Sequence, residues 1–557
     1  MVANRLREIN AIVENIPGVI IVKQFELFDE VTKGYISVFT EGLIKAIEFE
    51  VEIYSQYPFK WHDSETIKFI NSDLSAYKHI MEDGSICIHT AHSPVLSQKL
   101  NYDIQAVISW IEKYYINKDS DHHYEHLIVP QKKFKDTLFA YFFNEIDYQF
   151  SKNQFGYLDY SNLSQGLFHK EKCSNAIIQK FYSRDRKELV DVKWNIQFKA
   201  LEKHVGLFIF IKDIPSINQR WIYAKWEDFV DILPQEFLNF LHFVEDRHKK
   251  SNGTHLPLFI GYNISEAEIH WQAIMLEIGK FPIFGQKINQ QWTSKLHEER
   301  AIDWAMTRNC SYKYFFGRGH LCEKITQSKI LIIGIGAIGS IVAKTFARSG
   351  CTKLDFVDFD VKEPENVSRS EYSFVSGLNN KTNDLINELF MISPFFEPSQ
   401  GGYEFSEAFN YFLKSNLTNN QNKSEMEKFI NSYDIVIDCT ADNDLLYILS
   451  QLNMTTSLIN VSISNHAKQL VCATEQNRYE FVSTQFNGKV LEFDVEDLYN
   501  PTGCWSPTFK ASYNDINTLV QFALKHINLK FKQERQLRNF VLETEEEGSF
   551  NINLKEF

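Results

Sequence analysis

Four apolar residues, Ile330–Ile333, run directly into glycines at 334, 336 and 339, and this short stretch constrains the fold more than any other part of the chain. A strand apolar at every position is buried on both faces, as in a parallel sheet. Glycines at that spacing turn the chain sharply into a helix, expected from about Ser340, whose free N–H groups make a seat for phosphate. A second strand, Leu354–Val357, delivers Asp358 at its end, where a carboxylate can accept both hydroxyls of a ribose. Glycine loop plus acid is also the order used by dinucleotide oxidoreductases. The residues beyond it break the tie. Asn366 and Arg369 follow Asp358, and Lys381 comes later; a triphosphate needs such cations and a nicotinamide hydride donor does not. Further on, a hydrophobic strand at 434–438 leads to Asp442, placed to hold magnesium on the phosphates.

Together these residues resemble the ThiF/MoeB-type adenylating fold shared with ubiquitin-activating enzymes. The resemblance implies ATP and Mg2+ as cofactors, with Gly334, Gly336 and Gly339 forming the nucleotide loop, Asp358 on the ribose, Asn366, Arg369 and Lys381 on the phosphates, and Asp442 on the metal. Such enzymes often add an arginine ahead of the first strand, sometimes across a dimer. Arg318, in FFGRGHL, is the candidate here, with Arg308 behind it, and either is equally well read as a surface cation. The chemistry implied is attack of a carboxylate on the α-phosphate of ATP, where preorganised cations stabilise the growing charge on the phosphate oxygens.

An acyl-adenylate is usually handed to a thiol. The chain has eight cysteines with no regular spacing and no C-x-x-C pair, which points to a reducing, cytoplasmic setting and gives no support to a structural zinc. Cys351, Cys439 and Cys472 lie in or beside apolar segments and read as packing residues. Cys504 lies between Pro501 and Pro507, just after Gly503, ahead of a helix expected from about Asp515. Its G-C-x-x-P-T-F string resembles the cysteine segment of bacterial activating enzymes that form a thioester with their carrier.

Near the N-terminus an amphipathic helix over 1–16 precedes strand-like alternation over 35–54, then Tyr57-Pro58-Phe59, Gly84-Ser85-Ile86-Cys87, Pro94 and a helical run over 103–115. This order resembles the ubiquitin-conjugating fold, with Cys87 as the acceptor thiol. That family normally carries His-Pro-Asn with the asparagine eight residues before the cysteine; His79 stands there instead. A histidine can donate to an oxyanion, act as a base toward an amine, or simply satisfy the loop backbone.

The expected architecture is therefore α/β and multidomain: an α+β ubiquitin-conjugating-like domain over 1–130, an α+β middle domain over 131–300, and a Rossmann-like ThiF-type adenylation domain over 301–557. The middle region is expected to alternate strands, at 192–198 and 205–211, with a helix over 234–248, and shows no catalytic constellation. His122, His123 and His126 lie in a polar stretch read as a linker, and the acids at 543–547 as a solvated tail. A net charge of −14 argues against nucleic acid as a partner, and no apolar run is long enough to span a membrane.

An activating domain behind a conjugating one resembles fusion proteins of bacterial CBASS antiphage operons. That likeness implies a homodimer, a carrier with a free C-terminal carboxylate, namely a cyclic-nucleotide synthase, and a protein or small-molecule amine as acceptor. The implied order is adenylation, thioester on Cys504, transfer to Cys87 and conjugation. A sulfur-carrier-protein adenylyltransferase and a non-catalytic adaptor are the alternatives.

Overall fold

The computed structural model describes residues 2–62, 64–119, 127–130, 132–217, 220–288, 291–399, 420–487, 509–545 and 548–557. The chain divides into two compact units. One comprises Met1–Phe142, Tyr148–Leu189 and His204–Arg308; the other comprises Phe143–Asp147, Val190–Lys203 and Asn309–Phe557.

The first unit begins with helix α1 (Val2–Glu14) and an antiparallel meander, β1 (Val19–Phe28), β2 (Val31–Val38), β3 (Ile47–Tyr54) and β4 (Ile67–Ile70), in that spatial order. In β3 the sequence IEFEVEIY sends Ile47, Phe49, Val51 and Ile53 inward. The alternate glutamates face out, where Glu52 meets Lys33 at 2.6 Å; this is the period of a sheet with one buried face. Asn10 ties α1 to the meander by accepting the Phe25 N–H at 2.9 Å. Helix α2 (Leu96–Trp110) lays Leu100, Ile104 and Val107, spaced by four and three, into the same core.

A larger sheet follows: β5 (Leu138–Phe143), β6 (Gln154–Asn162), β7 (Glu171–Ser183), β8 (His204–Lys212), β9 (His255–Ser265), β10 (Glu268–Glu277) and β11 (Met306–Asn309), ordered β10-β9-β8-β6-β7-β5-β11. On one face Leu207, Ile209 and Leu258 pack with Phe237, Leu241 and Val244 of helix α3 (Gln235–Arg247). On the other, Phe150, Phe181, Phe208 and Trp271 pack with ring centroids 4.8–6.0 Å apart, edge to face except for the tilted Phe181–Trp271 pair. The strand expected at 192–198 does not form. Its place is taken by a strand at Glu188–Asp191 and a helical turn at Ile196–Lys199, because Asn195 caps that turn by accepting the Phe198 N–H.

In the second unit β12 (Ile330–Ile333), α4 (Ala337–Arg348), β13 (Leu354–Val357), α5 (Lys381–Ile392), β14 (Ile435–Asp438), α6 (Asn443–Ser450), β15 (Ser457–Ile463), β16 (Gln469–Ala473), α7 (Tyr513–Lys532), β17 (Phe540–Glu545) and β18 (Asn551–Glu556) build a seven-stranded sheet, ordered β13-β12-β14-β15-β16-β17-β18. Strands β13, β12, β14 and β15 are parallel, and the other three are added antiparallel. Helix α4 starts at Ala337, three residues before the expected Ser340, because the chain has already turned at Gly334, where φ is +77°. Helix α7 starts at Tyr513 under a Ser512–Asp515 capping box. Glu543 and Glu545, the described acids of 543–547, belong to β17 rather than to a tail: the strand buries Phe540, Val541 and Leu542, Glu543 accepts from Gln469, and Glu545 at its end is exposed. Three apolar residues just before the acids are enough to hold the segment in the sheet. Among the described residues no helix is long and apolar enough to cross a membrane.

Between β13 and α5 the chain makes a long excursion braced by a buried ion pair. Lys362 and Asp384, 1% and 4% exposed, meet at 2.8 Å, and the same ammonium donates to the Ser373 carbonyl at 2.7 Å and to Ser376. Removing one member leaves the other charged and buried, so Lys362→Met should cost about 3–5 kcal/mol, while Lys362→Met with Asp384→Leu should regain most of it. Scanning calorimetry of the transition of this unit checks this; equal losses in the single and double variants would refute it.

Candidate functional site

The C-terminal ends of β12, β13 and β14 open into a cleft of about 620 Å³. Gly334, Gly336, Asp358, Asn366, Arg369, Lys381 and Asp442 all line it. Each glycine has its own reason to be there. Gly334 is left-handed, and a Cβ on it would lie 2.7 Å from Thr440; a Cβ on Gly339 would lie 2.0 Å from the Gly334 carbonyl oxygen. Nothing stands within 4 Å of the same position at Gly336, so its backbone is open to a ligand. Gly339 itself sits behind the loop rather than on the cleft wall.

Asp358 accepts the Ile335 N–H at 2.8 Å on one oxygen and the Asp360 N–H at 2.9 Å on the other, so the carboxylate that ends β13 also fixes the glycine loop that ends β12. Burial pushes its carboxyl above the usual aspartate range, against the pull of Lys381 and the two N–H donors. Lys381, at the first turn of α5 and almost fully buried, holds Asp360 at 2.5 Å. Arg369 donates to the Phe509 carbonyl at 3.0 Å and lies over the Phe509 ring; burial lowers its pKa from the ordinary value. That bond uses one of five guanidinium donors. The Asn366 side-chain oxygen accepts the Glu363 N–H in a capping box of the short helix Pro364–Val367, which turns its amide NH2 to the role of available donor. Asp442 is the N-cap of α6, accepting from Asp444 and Leu445 at 3.0 and 3.1 Å. Beneath it, fully buried Asp438 accepts from Thr440 and Asn460, and burial raises its pKa.

Cys87 lies in the first unit. Cys87 follows a tight hairpin in which Ile80 pairs with Ile86 and the Met81 N–H donates to the Ser85 carbonyl at 2.7 Å. The Cys87 N–H donates to the His79 carbonyl at 2.7 Å, while His79 is left-handed at φ +59° and its ring packs on Tyr114 at 4.6 Å. The backbone of His79 thus serves the loop. His89, two residues beyond Cys87 on the same side of an extended segment, places Nε2 3.6 Å from the sulfur. Behind the loop, Lys99 bridges Asp103 and Glu65 at 2.6 and 2.8 Å, and Tyr57 donates to Asp103 at 2.7 Å.

Of the other sequence candidates, Arg318 lies on an exposed stretch after the helical turn Tyr312–Phe316 and does not line the cleft. Cys504, His122, His123 and His126 lie outside the described residues. Cys351, Cys439 and Cys472 are buried, as expected of packing residues. The sequence reading did not find Asp360, Tyr372, Thr440 and Phe509 on the cleft, nor His89 beside Cys87. The D-F-D and C-T-A-D strings carried a signal for Asp360 and Thr440, and C-I-H carried one for His89; nothing local marked Tyr372 or Phe509.

Residues 307–521 match the ThiF family. Over 277 residues the chain is 27% identical to the "ATP-dependent ubiquitin transferase-like protein Cap2" of Enterobacter hormaechei subsp. hoffmannii, a match covering 47% of this chain and 44% of that protein. It is 28% identical over 208 residues to the protein y4oA of Sinorhizobium fredii, covering 35% of each. The matches therefore span less than half the length of these relatives. Among solved structures, E. coli MccB with ATP is 16% identical, with a TM-score of 0.29, over 42% of this chain and 65% of that one.

Gly339→Ala forces a methyl against the Gly334 carbonyl, an overpacking expected to cost about 1–3 kcal/mol. It should lower the melting temperature and abolish any upward shift that ATP with magnesium produces in the wild type. Thermal shift with and without nucleotide reads both, and an unchanged melt with the full nucleotide shift would show that the loop has room to move.

Proposed function

From the match of residues 307–521 to the ThiF family, we propose that the protein adenylates a carboxylate with ATP and passes the activated acyl group through thioesters to an amine, as in ubiquitin-like conjugation. The observation that carries the reading is the convergence of an open glycine turn, a ribose-type carboxylate and two cations on one cleft. Val357, Phe359 and Ala441 add an apolar wall suited to a purine. Asp358 accepts the ribose hydroxyls with lone pairs beyond those given to the two N–H groups. Arg369 and Lys381 face the phosphates, where they stabilise charge that grows as the carboxylate oxygen attacks the α-phosphorus and the bond to pyrophosphate breaks.

Among the described residues no group of three or more His, Cys, Asp or Glu could hold a metal unaided. That fits Mg2+, which takes one or two carboxylates and completes its shell with phosphate and water; Asp442 is the residue to hold it. Bound there, the ion would neutralise phosphate charge.

The acyl-adenylate then meets the Cys504 thiolate, which forms a C–S bond as AMP leaves. Cys504 is five positions before Phe509, a cleft residue, and five residues of chain reach at most about 18 Å. The Cys87 thiolate next attacks the thioester carbonyl and Cys504 departs as thiolate. Finally an amine attacks, loses its proton and releases the Cys87 thiol. His89, beside the sulfur, is placed to take that proton, and His79 to hold the loop. The helix, meander, cysteine hairpin and helix of residues 2–110 support a conjugating-type domain. The resemblance to the CBASS fusion proteins points to a cyclic-nucleotide synthase C-terminus as the carboxylate, a cytoplasmic setting and a homodimer.

Intact-mass measurement with ATP, magnesium and co-expressed genomic neighbours tests the relay. Wild type should carry thiol-sensitive adducts, Cys87→Ala should stall with an adduct on Cys504, and Cys504→Ala should carry none. Arg369→Ala should lower ATP–pyrophosphate exchange by about 10²–10³. Adduct-free protein in every case, with exchange intact, would favour a sulfur-carrier adenylyltransferase.

A further inference from the structure

The middle region, which showed no catalytic constellation in sequence, reaches the Cys87 site through Arg220. This residue stands just before the second strand of a small hairpin, Ser216–Ile217 with Trp221–Ile222. The hairpin is fastened by Ile128: its N–H donates to the Arg220 carbonyl at 2.8 Å, and its carbonyl accepts from Ile222 at 3.2 Å. From that base the half-buried Arg220 guanidinium donates through Nη2 to the carbonyl of Ile80. Ile80 is the residue after His79, whose carbonyl holds the Cys87 N–H, and it is paired with Ile86, the residue before Cys87. One cation therefore grips the hairpin at the point where both of its strands meet the nucleophile.

We propose that Arg220 is a positioning residue for Cys87, clamping the cysteine hairpin through the Ile80 carbonyl and setting a permanent positive charge beside the sulfur. The proposal rests on the reading of Cys87 as an acyl-carrying thiol and adds to it a contribution from outside the conjugating-type region. Burial pushes the Cys87 thiol up, and Arg220 opposes that rise; the exchange of acyl groups needs the thiolate. His89 meets the thiol from its own segment, Arg220 reaches the Ile80 carbonyl from the hairpin, and the His79 carbonyl takes the Cys87 N–H while its ring packs on Tyr114. Arginine suits this place because it stays charged when partly buried.

The test is the rate of Cys87 alkylation by iodoacetamide from pH 6 to 10 in the full chain, read peptide by peptide by mass spectrometry for wild type, Arg220→Lys and Arg220→Met. In Arg220→Met the Cys87 inflection should move to higher pH, with labelling near pH 7.5 slowed about 3- to 10-fold, since thiolate falls tenfold per unit of pKa. Arg220→Lys should lie between, and Cys322 should not change. Buried Cys173 and Cys351 report folding, since a variant that fails to fold labels them. If Arg220→Met is of that kind, the Lys variant and the wild-type salt dependence decide: a Cys87 rate near pH 7.5 that falls as salt screens the guanidinium supports the assignment, and a rate indifferent to both overturns it. Superimposable Cys87 profiles in folded wild type and Arg220→Met overturn it directly. Failure of the relay is separately visible: conjugate formed as well by Cys87→Ala removes the acyl-carrying role, whatever the alkylation profiles.

Discussion

The cleft depends on Lys362 and Asp384. Of the residues that distinguish this glycine loop from any other, Asn366 and Arg369 lie on the excursion between β13 and α5 and Lys381 opens α5, and the excursion itself is tied by a ladder of only two residues a side, Val361–Lys362 with Asn379–Asn380. A lysine and an aspartate withdrawn from water can stay charged only if they find each other and every remaining donor and acceptor. Lys362 does so by reaching Asp384 and the Ser373 carbonyl together. The excursion is thereby closed at both ends and through its middle, and its surface side chains inherit a fixed geometry. Asp358 does the same at shorter range, locking the end of one strand to the loop of its neighbour.

Much of the second unit was legible in sequence because its signals are strictly local. A fully apolar tetrapeptide before a glycine, an acid at the next strand end and a capped helix each have one physical reading. What was not legible depended on tertiary partners. The acids after Phe540 resemble a tail until β16 is seen to need a neighbour, and residues 192–198 read as a strand until Asn195 is seen as a cap. Phe509 reached the cleft only because Arg369, 140 residues earlier, takes its carbonyl. Lys362 gave no sign in sequence of being buried, since lysine is almost always a surface residue.

In the first unit the cysteine hairpin is built mainly from backbone hydrogen bonds, to which His79 contributes its carbonyl. The side chains that reach this hairpin come instead from positions that no spacing rule relates to the cysteine: His89, two residues onward, at the sulfur, and Arg220, far along the chain, at the Ile80 carbonyl.

The bond between Arg369 and the Phe509 carbonyl joins two tasks in one guanidinium. It belongs to the wall of the cleft, and it holds the carbonyl of Phe509. A ligand whose phosphates draw that guanidinium toward themselves loosens its grip on Phe509 by the same free energy that loosening Phe509 adds to the ligand's affinity, because coupling between two equilibria is reciprocal. On the proposed reading, filling the cleft and releasing Phe509 are then one balance, set by which acceptor the guanidinium takes.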